Sequence, residues 1–420
     1  MNIVSAYNNA TCKKSQLILT AEEFQYYYEK YKNEDKLIIK TFQDFTIIKY
    51  NKPNIDIEKE PFICFFRSII LKNDKIVCFS PQKSMNFNTF IENNDLNKCE
   101  LSEIIEGTMI NLFYDSDIEY ETHEDLKHWM VCTRSNVGAN CRFNLDENIT
   151  FKDMFMDAAN MISLYDTQLD KNLCYSFVLQ HPKNQTVISC NAPKITLTHV
   201  YRIDNNSIFE VTNSIDLGIV FNPKIITERW HFTDYVQDTN EVQETTIDSV
   251  YNIKDWENLI DMCSGQELTH RFPGFMIKNK QGQRTKINNI AYKSAKALRG
   301  NMQKKQYQYL KLRNEHKLEE YLKIFPSDRA QFQKYQEDLY SWTGNLFNYY
   351  IDCFITRESK LKNAPYEFKP ILYTLHSQYL KYLKPSNKKV NFAYIKEYVK
   401  QIPIPKLMFS LNYTRRIDNA

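Results

Sequence analysis

The chain has 420 residues, a formal net charge of +3, and hydrophobic and aromatic contents of 43% and 14%. These values exclude a wholly disordered chain and indicate two or three domains with a sizeable core. Because the net charge is small, any surface for nucleic acid must come from local clusters of lysine and arginine.

The ten cysteines are scattered and include no Cys-x-x-Cys pair, which favours reduced thiols over a disulfide scaffold. Cys132 and Cys141 lie near His123 and His128, but the spacing fits no common zinc pattern, so no metal site is predicted. The first residues show no charged segment followed by an apolar one, so no secretory leader is expected, and no apolar run approaches the roughly 18 residues of a membrane span. A soluble, cytoplasmic protein is expected.

The first strongly apolar run, from Phe62 to Leu71, predicts a buried strand that carries one charge, Arg67. A turn at Lys72 to Lys75 is predicted to pair it with a second strand, Lys75 to Ser84. A buried arginine needs a partner. That partner is either a core carboxylate or the phosphate or ribose of a ligand.

A second pattern surrounds Glu106-Gly107 within the stretch from Glu103 to Phe113, and the apolar run from Trp129 to Arg134 follows about twenty residues later. The pattern predicts neighbouring strands that deliver polar side chains where two backbones approach closely. Such an arrangement is typical of a binding site.

These stretches together resemble the motifs of the phage-type tRNA-repair RNA ligases, which are covalent nucleotidyltransferases. The family's first motif, Lys-x-Asp-Gly followed by Ser or Thr, resembles Ile104-Ile105-Glu106-Gly107-Thr108. The resemblance extends in the same order from Pro61 to Leu298 through further stretches, namely Phe66 to Leu71, Phe79 to Phe87, Phe177 to Asn184, Gly274 to Lys278, and Lys286 to Asn288 ahead of Tyr292.

The sequence departs from the family at the positions that react. Ile104 stands in place of the lysine whose amine attacks the α-phosphate of ATP. Val178 and Pro273 replace the glutamates of the third and fourth motifs, and Asn288 replaces the second lysine of the fifth. The resemblance therefore implies a pocket that binds without adenylylating and requires no cofactor, with the nucleotide- or phosphate-binding residues Arg67, Lys83, Glu106, Gly107, Arg134 and Lys286.

An active RNA ligase that repairs nicked tRNA is the alternative, with Lys83 or Lys98 as a relocated nucleophile. It would require ATP and Mg²⁺. Strand alternation fixes where a side chain points, so a lysine from another position seldom reaches the line of attack.

After Tyr292 the sequence becomes basic with interleaved tyrosines, and helical periodicity then runs to the end. Basic and aromatic residues together favour RNA, through phosphate contacts and base stacking. A solvated helix face over an aromatic core explains the pattern nearly as well. The predicted RNA-binding residues are Lys293, Lys296, Arg299, Lys304 and Lys305.

The predicted fold is α+β, with an antiparallel-sheet nucleotidyltransferase domain over residues 1–298 and an α-helical, tRNA-contacting domain over 299–420. We expect a catalytically defective protein that binds tRNA or its cleaved anticodon loop and protects against an anticodon nuclease. The abundant Tyr, Phe, Asn, Lys and Ile suggest AT-rich coding. In its AT-rich coding and its expected protection against an anticodon nuclease, the chain resembles the immunity proteins of yeast linear killer plasmids.

Overall fold

A computed structural model of the chain describes residues 15–118, 126–142, 148–211, 230–231, 250–251, 253–265, 268–302 and 304–414. The chain divides into two compact units, Met1–Ala297 and Leu298–Ala420. Antiparallel sheets dominate the first unit and helices the second, which confirms the predicted α+β class. Across these ranges, no helix combines the length and apolar character that a membrane span needs. His123 lies outside the described residues.

The first unit is built from strands joined by short helices. Its described strands are β1 (Ser15–Leu19), β2 (Leu37–Phe42), β3 (Phe45–Tyr50), β4 (Ile69–Lys72), β5 (Lys75–Phe79), β6 (Glu100–Glu103), β7 (Thr108–Tyr114), β8 (Trp129–Thr133), β9 (Asn136–Val137), β10 (Leu173–Gln180), β11 (Lys194–Asp204), β12 (Ser207–Val211), β13 (Trp230–His231), β14 (Val250–Tyr251), β15 (Gly274–Lys278) and β16 (Arg284–Asn288). Its helices are α1 (Ala21–Asn33), α2 (Phe87–Asn93), α3 (Phe151–Met161), α4 (Trp256–Ser264) and α5 (Ile290–Arg299).

Within the described ranges these strands form a seven-stranded sheet in the order β1-β12-β11-β10-β7-β8-β9, a four-stranded sheet β2-β3-β4-β5, a three-stranded sheet β16-β15-β6, and the pair β13-β14. Alternation along β7 and β10 turns Ile110 and Phe177 toward a core with Phe155 of α3. The opposite face of the same sheet turns Phe113 and Cys174 toward the four-stranded sheet. The central strands are therefore buried on both faces.

The hairpin of β4 and β5 confirms the predicted turn, in which Asn73 and Asp74 both have positive φ, at 49° and 60°. The prediction of one strand from Phe62 to Leu71 was wrong. Residues Pro61–Phe65 form a 3-10 helix, and β4 begins only at Ile69. Proline suits the start of such a helix, and a short apolar run does not distinguish helix from strand. Arg67 consequently lies in the connection before β4.

The stretch from Glu103 to Phe113 belongs to two sheets, not to a single strand. Its first part ends β6 of the three-stranded sheet, and β7 begins at Thr108 in the seven-stranded sheet. The predicted pairing of this stretch with Trp129–Thr133 is correct, since Ile110 of β7 lies opposite Thr133 of β8. Residues 104–107 are the crossing between the sheets.

The second unit is helical throughout its described residues. It contains α6 (Lys305–Asn314), α7 (Leu318–Ile324), α8 (Arg329–Tyr350), α9 (Lys369–Gln378), α10 (Phe392–Gln401) and α11 (Ile404–Leu411). The helices α8 and α9 continue as π-helical segments, Ile351–Ile355 and Tyr379–Leu383. The prolines at 326, 365, 385 and 403 lie in the connections or the first turns, where the missing backbone N–H breaks no helical hydrogen bond.

Candidate functional site

A large cavity opens in the first unit around the crossing between β6 and β7. Its volume is about 1990 Å³, whereas sites for small molecules commonly measure roughly 300–1,000 Å³. Among the described residues, eleven lysine and arginine side chains and six carboxylates line it. The lining is therefore cationic, although the whole chain is almost neutral.

Four cations predicted from the motifs, Arg67, Lys83, Arg134 and Lys286, all line this cavity. They come from separate elements, since Arg67 precedes β4, Lys83 follows β5, Arg134 follows β8, and Lys286 lies on β16. Their charges act on one another, because Arg67 and Lys83 add to burial and to the charge of Lys296 in depressing the pKa of Lys286. Like charges brought together in this way repel.

Arg67 is largely enclosed. Its Nη1 donates to the carbonyl oxygen of Pro81 at 3.3 Å. No carboxylate among the described residues forms an ion pair with Arg67, so the structure does not support a core salt bridge. Burial, together with the charge of Arg284, lowers the pKa of Arg67 to about 10. The guanidinium is still charged at neutral pH, and the unfavourable burial of that charge persists.

The pKa values of Lys83 and Lys286 are both lowered. Burial is the main cause that lowers the pKa of Lys83, and the charges of Lys52, Arg67 and Arg134 add to it. Desolvation by the cavity walls likewise lowers the pKa of Lys286, whose side chain still reaches solvent inside the cavity. Both shifts have the sign expected for cations that lack an anionic partner.

Arg134 is held by the backbone and by an aromatic ring. Its Nε donates to the carbonyl oxygen of Arg67 at 3.3 Å, and its guanidinium carbon lies 4.4 Å from the ring centroid of Tyr50. A guanidinium over a tyrosine face is a cation–π contact, and it leaves the remaining N–H groups available at the edge of the group.

Gly107 and Ile104 define the crossing. A Cβ at Gly107 would lie 2.4 Å from the carbonyl oxygen of Leu179 on β10, so only glycine permits this backbone approach. The amide of Ile104 donates to the carbonyl oxygen of Gly274 at 2.9 Å. The Ile104 side chain is half-buried in the cavity wall and offers an apolar group where the motif would place an amine.

Glu106 is buried and already engaged. Its Oε2 accepts the amides of Val187 and Ile188 at 2.9 and 2.7 Å. Its Oε1 accepts the hydroxyl of Tyr292 at 2.6 Å, and that hydroxyl accepts the Lys296 ammonium at 3.1 Å. Burial and the Glu106 charge raise the pKa of Tyr292. The carboxylate thus fixes the crossing against α5.

Three of the four positions that depart from the motifs, Ile104, Val178 and Asn288, line the cavity, whereas Pro273 is not among its lining residues. Val178 of β10 lies opposite Met109 of β7, and both contribute apolar surface. Asn288 directs its Nδ2 to the carbonyl oxygen of Pro273 at 3.0 Å. No group of three or more His, Cys, Asp or Glu suited to a metal occurs in the described part of the chain.

The predicted RNA-binding residues separate into two groups. Lys293 and Lys296 of α5 are exposed and line the cavity. Arg299 and Lys305 lie in an internal network of the second unit, with Asp328 at 3.8 and 2.5 Å. Lys304 is exposed at the start of α6. Arg299 and Lys305 are thus engaged with a carboxylate, whereas Lys293, Lys296 and Lys304 are exposed.

Sequence reasoning missed Arg284, a buried cation on the same strand face as Lys286. Its Nε donates to the carbonyl oxygen of Gln82 at 2.8 Å, and its Nη1 lies 3.4 Å from Nε2 of His199. Burial, then the charge of Arg284, lowers the pKa of His199 well below its usual value, so the imidazole is neutral. The two-residue strand period, applied from Lys286, would have indicated Arg284.

No protein-family profile and no curated protein matches the chain. Among solved structures it is similar to a proposed ATP-dependent DNA ligase from Aquifex aeolicus, at 11% identity over 85% of this chain and 80% of that one, with a TM-score of 0.37. It is also similar to a mutant Naegleria gruberi RNA ligase with ATP and Mn, at 15% identity over 57% and 67%, with a TM-score of 0.33. A second mutant of that RNA ligase, with AMP and Mn, has 16% identity over 53% and 64% and a TM-score of 0.29. These values are too low to carry a functional argument.

Proposed function

We propose that the protein is a catalytically defective relative of the RNA ligases that binds tRNA, or its cleaved anticodon loop, and protects it from an anticodon nuclease. One observation carries the proposal. Arg67, Lys83 and Lys286 gather in a single cavity without carboxylate partners among the described residues, while Ile104 occupies the place of the nucleophile.

The electrostatics support an anionic ligand. Burial depresses the pKa of each of these three cations, which means that the cavity environment destabilises their charged forms. A phosphate accepts charge-assisted hydrogen bonds from lysine and arginine and would relieve both desolvation and mutual repulsion. Gathering like charges in a folded protein is otherwise unfavourable.

The size and the walls of the cavity support a nucleic acid over a mononucleotide. At about 1990 Å³ the cavity exceeds the usual range for small ligands. Its cations suit phosphates, and the apolar surface of Ile104, Met109 and Val178 suits a base or ribose. Val178 and Asn288 stand where the ligase motifs have a glutamate and a lysine. Because neither residue is charged, the proposal requires neither ATP nor a metal.

The proposal is tested by binding of purified protein to a tRNA that is a target of an anticodon nuclease, intact and nicked. We expect tighter binding to this tRNA than to a non-target tRNA or to duplex RNA of equal length, since protection requires discrimination. Lys286→Glu should weaken binding at least tenfold, because it replaces a phosphate contact by a repulsive charge. Lys75→Glu, an equal change at an exposed lysine outside the cavity lining, should leave binding unchanged.

The same variants separate protection from simple binding in cells. Cells that express the protein should survive the nuclease, survival should be lost with Lys286→Glu, and Cys353→Ser in the second unit should retain it. Equal affinity for every RNA, with survival indifferent to Lys286, would reduce the cavity to a generic basic surface and defeat the proposal.

An active ligase with Lys83 as the nucleophile is a second candidate, and one observation favours it. Burial lowers the pKa of Lys83, which raises the fraction of neutral amine that could attack ATP. Lys98 is less suited, because its side chain is 74% exposed and its Nζ lies 3.7 Å from Asp95. This candidate requires ATP and Mg²⁺, and an AMP adduct on Lys83 would establish it.

A further inference from the structure

A groove in the second unit has no role in the proposed function. Its volume is about 640 Å³, and it lies between a 3-10 turn (Leu361–Asn363), α9 and α11. Its charged and aromatic lining consists of Lys362, Lys369, Tyr373 and Lys406. None of these residues belongs to the basic segment that the sequence identified.

The groove is positively charged, and no described lining residue carries a negative charge that would neutralise it. No carboxylate lines it among the described residues, and in that part of the chain Lys362, Lys369 and Lys406 take part in no ion pair. This differs from Lys305 in the same unit, which is paired with Asp328. Three lysines around one depression therefore present a potential that favours an anion.

The aromatic component distinguishes this groove from a generic basic surface. Tyr373 is 69% exposed. Within the described residues it stacks on no other ring, whereas the exposed Tyr366 stacks on Tyr413 at 5.3 Å. Lys369 precedes Tyr373 by four residues on α9, so the ammonium and the ring share one helix face. A free aromatic face flanked by cations suits a stacked base with its neighbouring phosphates.

The surface continues along α11 beyond the groove. Phe409 follows Lys406 by three residues on that helix and is itself exposed. Its ring lies 5.7 Å from that of Tyr413. The exposed aromatic surface therefore extends past Lys406 along α11.

We infer that this groove binds single-stranded RNA, with a base stacked on Tyr373 and phosphates contacted by Lys362, Lys369 and Lys406. The inference deepens the proposed function, because it rests on RNA being the ligand of this protein, and it names a contact surface separate from the cavity of the first unit. An acidic protein segment would use the lysines but has no need of the free ring.

The test is fluorescence anisotropy of the full chain with a short labelled oligouridylate. Tyr373→Ala should raise the Kd about five- to a hundredfold, the range for one base stack. Tyr373→Phe keeps the ring and should bind like the unchanged protein. Lys369→Glu and Lys406→Glu should each lower the slope of log Kd against log salt by roughly 0.7. Tyr340→Ala, which removes a tyrosine that is 60% exposed on α8, is the matched control and should have no effect.

The outcomes separate the two sites. Loss of binding with Tyr373→Ala and not with Lys286→Glu would support the groove and contradict the cavity proposal. Loss with Lys286→Glu alone would overturn the groove and retain the cavity. A loss with the lysine variants alone, with Tyr373→Ala unchanged, would indicate phosphate contacts without base stacking and overturn the stacking on Tyr373. Absence of any RNA binding by the unchanged protein would overturn both.

Discussion

Each unit contains a cluster of cations, Arg67, Lys83 and Lys286 in the first and Arg299 and Lys305 in the second. The two clusters differ in whether a carboxylate pairs with them. In the second unit Arg299 and Lys305 surround Asp328, whose side chain is only 14% exposed, and Tyr321 also donates its hydroxyl to that carboxylate. In the first unit no carboxylate among the described residues pairs with Arg67. The sequence predicted nucleic-acid contacts for both clusters, yet within the described residues only the second-unit cluster forms ion pairs with a carboxylate.

This difference separates a structural cluster from a binding cluster. A partly buried ion pair is maintained by its own members, and removal of one member leaves the others uncompensated. A cluster without an anion is unfavourable until a ligand supplies one. The first-unit cluster is therefore the better candidate for phosphate, and the second-unit cluster the better candidate for stability.

The largest effect is expected from Asp328→Asn. Because Arg299 and Lys305 would lose their anion while partly buried, the second unit should lose about 3 kcal/mol of stability. Hydrogen exchange over α6 to α8 and the denaturant midpoint measure this loss. Glu358→Gln, at an exposed carboxylate of the same unit, should change stability by less than about 0.5 kcal/mol. Equal effects of the two variants would remove the contrast between the clusters.

A smaller effect, of opposite sign, is expected from Arg67→Met. Replacement of an unpaired buried guanidinium by an apolar chain should leave the stability of the first unit unchanged or raise it by about 1 kcal/mol. Binding of the target tRNA should nevertheless fall, since a phosphate contact is lost. Thermal unfolding and anisotropy measure the two quantities. A loss of more than about 2 kcal/mol would show that the bond from Arg67 to the carbonyl of Pro81 is structural.

The sequence predicted the fold class and the turn at Asn73 because these depend on local pattern and periodicity. The strand predicted from Phe62 to Leu71 was wrong, because a short apolar run beginning with proline suits a 3-10 helix as well as a strand. The motif cations could be identified by their order, but Asp328 could not, because the pairing with Lys305 joins residues 23 positions apart across α6 and α7. The groove around Tyr373 joins Lys362 to Lys406 through tertiary packing, which no linear spacing reveals.

Intact-protein mass spectrometry after incubation with ATP and Mg²⁺ tests whether the first-unit cavity binds RNA without the chain becoming adenylylated. With Ile104 in the place of the nucleophile, the mass should remain that of the unmodified chain. Nicked target tRNA present in the same reaction should still bind. One AMP per chain, mapped by peptide analysis to Lys83 or Lys98, would contradict the claim and establish an active ligase.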